Sequence, residues 1–518
     1  MKSYKKIISV LAVAAILLSA CTTGKETSSS DVDQITIFNE KSASLADDMK
    51  DYNDILSFAM MEEATGLHIN WNIPPATGLE EKFNLMITSG EYPDAITYNW
   101  KKLNVTEYAE DGVIIPLTAL IEENMPNLKK ILDENPNFKS QLVSTDGEIY
   151  YLPYIRYDEE LCVFSGPLVR MDWLEKLGLE VPTNAEELYN VLVAFKTQDP
   201  NGNNEADEIP MSGILSTPSV MSISNLLWMF DTYYGFYVDN GEIKYGPMED
   251  NFADGIKYIR KLFAEGLIDS DYLLQDRTSL DAKVTNEKVG FVYHYQPTKF
   301  ADTMKSINPE FNIKGITHLK NAEGVSKCYD ASYISSILDK GLAITTTCKN
   351  PAEVLKKLDW LYSEEGIEAM NFGREGETYT KVDGKRVFTD TILAKREGST
   401  LTQVFGRYIG TFNSYFPGVQ LWESYSQSLS AEGIDAIGIW SNDVDTSGAL
   451  STLSFTDEEN ETIGYNMSQI QTYVHEKIDR VILSKEDEGM LDTIKEKITD
   501  MGIQEVIDIY QTAYDRTK

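Results

Sequence analysis

From Gln34 onward, short alternating runs give way in turn to stretches with helical spacing. Gln34–Phe38 (QITIF) alternates in polarity and is rich in β-branched residues, which predicts a strand. Residues 42–65 carry helical spacing and stop at Gly66, and residues 67–73 (LHINWNI) predict a second strand. Residues 79–88 predict a helix with Gly90 in the C-cap role. Tyr92-Pro93-Asp94 then leads into a third strand at Ala95–Tyr98. This β-α-β-α-β order favours a parallel sheet covered by helices. Such sheets bind ligands beyond the carboxyl ends of their strands. That rule singles out Asn39 and Glu40 after the first strand, and Asn99 and Trp100 after the third.

The same pattern continues. Residues 147–154 (GEIYYLPY) read as a turn and a strand, and residues 170–178 as a short helix with a glycine stop. Thr183-Asn184-Ala185-Glu186 reads as a capping box opening a helix that runs to about Lys196. Residues 251–265 predict an amphipathic helix, residues 287–295 contain a strand, residues 342–346 predict another, and residues 351–363 a helix. Apolar residues recur with helical period over 470–483 and 503–514.

The amino terminus breaks this pattern. Lys2, Lys5 and Lys6 precede a short apolar run that closes on Leu18-Ser19-Ala20-Cys21. The run falls short of the ~20 residues that span a bilayer and reads as a signal peptide over residues 1–20. Its ending resembles a bacterial lipobox. The resemblance implies diacylglyceryl transfer to the Cys21 thiol, cleavage before it, and acylation of the new terminus with a chain such as palmitate. Residues 21–33 are polar and Ser/Thr-rich, a flexible tether between lipid and body. The expected location is the extracytoplasmic face of the cell membrane, reached through the lipid anchor alone.

The 518 residues carry a formal net charge of −36, which argues against nucleic acid as a partner. Beyond Cys21 the cysteines are Cys162, Cys328 and Cys348, too few for a disulfide framework, although Cys328 and Cys348 could pair. The histidines (His68, His294, His318 and His475) lack zinc-ligand spacing.

A different metal signal stands at residues 199–208 (DPNGNNEADE). Ca²⁺ takes six to eight hard oxygens from a flexible loop. Asp199, Asn201, Asn203, the Glu205 carbonyl, Asp207 and Glu208 supply that set, with Asn204 in place of the usual turn glycine. The expected cofactor is Ca²⁺ in a structural role.

Several segments in order resemble the family 1 extracellular solute-binding proteins, the lipoprotein receptors of ABC sugar importers. They are SGEYPDA at 89–95, DGVIIPL at 111–117, DGEIY at 146–150 followed by Pro153, RMDWLEKLG at 170–178 with Pro182-Thr183, EGLID at 265–269 and IYQTAYDR at 509–516. The loop at 199–208 resembles that of the alginate-oligosaccharide and glycosaminoglycan-fragment branch, where the matching residues ligate Ca²⁺. The resemblance implies an α/β, periplasmic-binding-protein-like fold: two lobes joined by crossover segments, with a ligand cleft between them. The expected first lobe is 34–155 plus 315–349. The expected second is 156–314 plus 350–518, with crossings near residues 152–156, Gly315 and Asn350.

The implied function is a monomeric receptor that captures an oligosaccharide and delivers it, unaltered, to ABC permease subunits. Sugars need aromatic platforms and polar edges, and 29 Tyr, 19 Phe and 7 Trp can build the former. Strand ends and crossovers give the ligand candidates Asn39, Asn99, Trp100, Tyr154, Arg156, Trp228, Tyr293, Tyr295, Arg374 and Trp422. Arg156 could clamp a uronate or pair with Asp158 or Glu159. No G-x-S-x-G elbow or phosphate loop marks a catalytic centre, so the chain reads as a binding protein and not an enzyme. A lipid-anchored glycosidase or lyase and a peptide receptor are the alternatives.

Overall fold

The computed structural model describes residues 32–215, 217–394, 401–413, 416–442 and 444–518. The signal peptide, Cys21 and most of the tether lie outside the described residues. The strands, in chain order, are β1 (Gln34–Phe38), β2 (His68–Asn72), β3 (Ala95–Tyr98), β4 (Leu152–Arg156), β5 (Ser165–Arg170), β6 (Ile209–Ser212), β7 (Phe236–Asp239), β8 (Glu242–Tyr245), β9 (Val289–Tyr295), β10 (Ile313–Gly315), β11 (Ile337–Ile344), β12 (Tyr379–Val382), β13 (Lys385–Phe388) and β14 (Gly418–Gln420).

Two principal sheets result, ordered β14-β4-β11-β3-β1-β2 and β10-β5-β9-β6. In the first, β1 pairs in parallel with β2 and β3, as its alternation with helices requires. The later strand β11 runs antiparallel between β3 and β4, and β14 joins β4 in parallel. Each sheet is buried in its own apolar core. Ile37, Phe58, Ile96, Leu152 and Leu342 belong to one, and Leu168, Trp173, Phe195, Phe291 and Trp440 to the other. A small third core gathers Phe372, Phe388 and Phe405 beside the first. The fold is thus a mixed α/β protein of two lobes.

The lobe boundaries differ from those expected. Strand β4 stays in the first sheet, so the chain crosses after Arg156 and enters the second sheet with β5. Gly315 does not mark a return, because β10 pairs with β5. The Tyr333 hydroxyl still bonds to the Ser165 carbonyl in the second lobe. The Ser336 carbonyl accepts from the Arg156 amide at 2.8 Å, at the start of β11. No transfer occurs at Asn350. Helix Pro351–Leu358 buries Val354, Leu355 and Leu358 in the first core, and Asp359 accepts from the Leu128 amide at 3.0 Å. Pairing of β14 with β4 keeps the chain in the first lobe through Gln420. Helix Ala431–Ser441 belongs to the second lobe, where Trp440 Nε1 donates to the Ile316 carbonyl at 3.0 Å.

Local elements shift for identifiable reasons. The helix expected over 42–65 begins at Leu56, because residues 39–51 form turns at the end of β1. The capping box at 183–186 moves by one residue. Asn184 caps the helix, accepting from the Glu186 and Glu187 amides, and Glu187 reaches back to the Thr183 amide at 2.8 Å. The apolar stripe at 470–483 is the later part of helix Asp457–Ile482, which starts at a Thr456–Glu459 capping box. Cys328 and Cys348 do not pair. Both are free and buried, in different lobes' cores. No helix among the described residues is long and apolar enough to cross a membrane.

Candidate functional site

A groove of about 580 Å³ lies at the carboxyl edge of the first sheet. Its lining combines Glu40 and the turns that follow, Lys340 of β11, Thr411 and Phe412, Gln420 at the end of β14, and Tyr425. The Gln420 carbonyl accepts from the Tyr157 amide in the first crossing segment. The groove therefore borders the junction where the chain passes between lobes.

Its wall is held from within. The Asn39 amide donates to the Asn72 carbonyl and the Lys41 amide to the Pro74 carbonyl, each at 2.9 Å, continuing the β1–β2 pairing past both strands. Tyr52 is fully buried, edge-on to Trp71 at 4.8 Å. Its hydroxyl donates to the Glu40 carbonyl and accepts from the Ser42 amide. The Glu40 side chain forms an ion pair with Lys340. Arg407 grips Asp48 in a bidentate pair at 2.5 and 3.1 Å.

Among the described residues, some buried polar atoms here have no protein partner. Thr411 Oγ1 stands on the groove residues, and Asn99 Oδ1 and Lys101 Nζ stand just past β3. Buried polar groups are normally satisfied by protein or by ordered water. Burial pushes the Lys101 ammonium pKa down, against the opposing pull of the Asp339 carboxylate.

At the second lobe's side of the junction, Phe164 stacks on Tyr295 with centroids 5.8 Å apart. The Arg156 guanidinium lies over Phe164 at 5.1 Å and that of Arg277 over Tyr295 at 4.6 Å. Asp281 anchors the surrounding charges. It accepts from His294 Nε2 at 2.8 Å and Lys299 Nζ at 2.5 Å, with Arg277 Nε at 3.7 Å. Burial alone would raise the Asp281 carboxyl, but the His294 and Lys299 bonds outweigh it and hold its pKa below the usual range.

The sequence candidates scatter around this geometry. Asn39 is buried at the end of β1, one residue before Glu40. Arg156 and Tyr295 stand at the junction stack. Trp422 meets the crossing segment, its amide donating to Asp158 at 2.6 Å, with its ring 6.1 Å from that of Tyr425 in the groove. Trp100 is no platform. It is fully buried, with Phe83, Tyr98 and Tyr108 edge-on around it and Nε1 bonded to the Ile96 carbonyl at 3.2 Å. Tyr154 is also buried, and its hydroxyl donates to the Thr411 carbonyl at 3.0 Å, so it supports the groove wall from behind. Trp228 and Tyr293 pack edge-on at 5.8 Å inside the second core, beside His318. Arg374 pairs with Glu63 and Glu377. Glu63 lies in the last turn of the helix that precedes β2, at the sheet's amino edge and away from the groove. Sequence reasoning missed Lys340, Thr411, Phe412, Gln420 and Tyr425.

The loop at 199–208 folds on its own side chains. Asp199 Oδ1 accepts from the Gly202 and Asn203 amides, and Oδ2 from the Asn204 amide. Asn204 adopts the left-handed φ of 61° that its turn position demands. Asn201 and Asn203 donate to Asp207, which also meets Lys288 at 3.1 Å. Glu208 Oε1 is buried without a partner. Burial, then the neighbouring Asp199 and Asp207 carboxylates, raise the Glu208 pKa. Among the described residues no three His, Cys, Asp or Glu side chains stand together as a metal cluster. Beyond the Asp199, Asp207 and Glu208 carboxylates the loop offers amide and backbone oxygens, the ligand types a hard cation takes. The unpartnered Glu208 Oε1, crowded by the Asp199 and Asp207 carboxylates, fits such an ion.

Comparison with known proteins agrees with this architecture. The family described as bacterial extracellular solute-binding protein matches residues 42–368. The fructooligosaccharide ABC transporter substrate-binding protein FusA of Streptococcus pneumoniae is 33% identical over 372 residues, 66% of this chain and 68% of FusA. Lipoprotein LipO of Bacillus subtilis is 26% identical over 399 residues, 76% of each chain. A structure of the FusA EF-hand mutant in complex with fructo-nystose superposes with a TM-score of 0.74 at 26% identity, covering 93% of this chain and 99% of that one. Alginate-binding protein AlgQ2 without calcium ion gives 0.73 at 25%, covering 94% and 99%. With the family match spanning well over half its length, the chain belongs to the bacterial extracellular solute-binding proteins.

Proposed function

We propose that this protein captures an oligosaccharide in the groove at the lobe junction and hands it, chemically unchanged, to the membrane subunits of an ABC permease. The observation that carries this reading is the groove's lining. Glu40, Lys340 and Gln420 offer fixed donors and acceptors, and Phe412 and Tyr425 offer apolar faces, at the carboxyl edge of a sheet. Hydroxyl edges and CH faces of a sugar need that combination. One stacked face of roughly 40 Å² contributes on the order of 1 kcal/mol, whereas micromolar affinity takes about 8 kcal/mol. The directed hydrogen bonds therefore supply most of the affinity. FusA, whose name states oligosaccharide binding for an ABC transporter, supports the reading.

The protein works as a monomer on the outer face of the cell membrane, held by acyl chains on Cys21, and its likeness to a lipoprotein supports that anchor. Ca²⁺ is held by Asp199, Asn201, Asn203, the Glu205 carbonyl, Asp207 and Glu208, where it stiffens the loop and takes no part in binding sugar. Thermal-shift screening of the mature protein against oligosaccharides tests the capture reading. A saturable stabilisation by a sugar, shifted to about tenfold higher sugar concentration in Tyr425→Ala, is expected. Stabilisation by peptides and by no sugar would reject it.

A further inference from the structure

We infer that the oligosaccharide taken by this groove is uncharged and carries no uronate or sulfate. This rests on the capture reading above and narrows it. The relatives leave the point open, since one is named for fructooligosaccharide and another for alginate, a polyuronate.

The charges around the groove decide it. Its charged lining is two acids and two bases: Glu40, Asp47, Lys41 and Lys340. Lys340 is already bound to Glu40, and both side chains are about three-quarters buried. An anion reaching Lys340 has to displace Glu40 or sit beside it, and like charges that close in a half-buried site repel strongly. Lys41, the groove's other base, is an exposed side chain at its rim, where water screens its charge, and the remaining cations nearby are committed. Arg407 is locked to Asp48 on the turns after β1. At the junction Arg277 and Lys299 converge on Asp281, which His294 also bonds. Arg156 lies outside the groove lining, with its guanidinium face over Phe164. A ligand carboxylate thus finds no guanidinium within the groove to bind it bidentately, which is how proteins usually hold such a group.

A sugar hydroxyl finds the opposite situation. It both donates and accepts. A fixed carboxylate–ammonium pair presents a strong acceptor and a strong donor side by side, and a hydroxyl can use both without breaking the pair. The formal charge of −36 adds a long-range bias against polyanions. Surface charge is screened beyond about 8 Å at physiological salt, so the local pairing carries the selectivity.

Isothermal titration of the mature protein with two matched panels tests this. One holds neutral oligomers (fructo-, malto- and xylo-oligosaccharides and neutral milk-type sugars), and the other holds oligomers of galacturonate and of alginate. The best neutral ligand is expected to bind at least tenfold tighter than the best uronate, with an affinity unchanged between 50 and 500 mM salt. Glu40→Gln, which frees Lys340, is expected to raise uronate affinity at least threefold. Uronates binding as tightly as the neutral panel, or tighter, would overturn the charge inference while upholding carbohydrate capture. Saturable binding by neither panel would overturn both.

Discussion

The Tyr52 hydroxyl donates to the Glu40 carbonyl at 2.6 Å while accepting from the Ser42 amide at 2.8 Å. One buried side chain thereby fixes the turns that carry the groove's acid. Tyr52→Phe keeps the ring against Trp71 and loses both bonds. The expected cost is about 1–3 kcal/mol of stability, with a several-fold loss of ligand affinity, read by denaturant unfolding and titration calorimetry. Lost stability with unchanged affinity would separate these turns from the site.

Trp100 and Tyr425 should behave as opposites. Trp100 is a core ring with its indole N–H satisfied inside the lobe, so Trp100→Phe is expected to cost about 1–3 kcal/mol of stability and leave affinity within about twofold. Tyr425 lines the groove, so Tyr425→Ala should leave the melting temperature nearly unchanged and weaken binding about tenfold, equivalent to ~1.4 kcal/mol.

Acid should act through His318. Full burial holds its imidazole at about 3, with Nε2 bonded to the Tyr333 hydroxyl at 3.0 Å. An unfolded histidine titrates near 6.5. Below that pH the unfolded chain takes up a proton that the folded one refuses, so stability falls as pH drops from about 6.5 toward 3. The slope from this group alone reaches ~1.4 kcal/mol per pH unit, and above about 6.5 its contribution is present in full. Unfolding free energies at pH 4 to 7 should decline less steeply for His318→Gln than for the parent. Parallel slopes would contradict this assignment.

Calcium should have its own pH signature. In the metal-free protein, burial and the adjacent Asp199 and Asp207 raise the Glu208 pKa. The folded state then holds that proton more tightly than the unfolded one, and this part of stability declines as pH rises through the raised value. A bound cation reverses the sign. The melting temperature should therefore rise on adding Ca²⁺ at pH 7, fall with chelator, and respond less at pH 4.5. Glu208→Gln should blunt the response, and a response independent of both pH and Glu208 would place the ion elsewhere.

Much of the first lobe was legible because its signals are local. Gly66 and Gly90 end helices in left-handed backbone, and the strands between them alternate clearly. The carboxyl-edge rule pointed to Asn39 and Glu40, and Glu40 lines the groove while Asn39 is buried before it. It failed at Trp100 because the 3-10 turn Trp100–Lys102 folds that ring back among Phe83 and Tyr108. Lys340 and Gln420 escaped notice for a different reason. They reach the groove on β11 and β14, strands more than 200 residues along the chain whose partners are set by tertiary pairing. The misplaced crossing at Asn350 has the same origin. Nothing in residues 350–420 announces that β14 will close onto β4.

The proposed function stands on the groove's capture of a carbohydrate without chemical change. Equilibrium dialysis of the mature protein against a labelled oligosaccharide, with chromatography of the recovered sugar, tests it most directly. One equivalent bound and recovered at its original length, with affinity about tenfold weaker in Tyr425→Ala, is the predicted result. Shortened or unsaturated sugar products, or binding that survives removal of the groove's side chains, would contradict it.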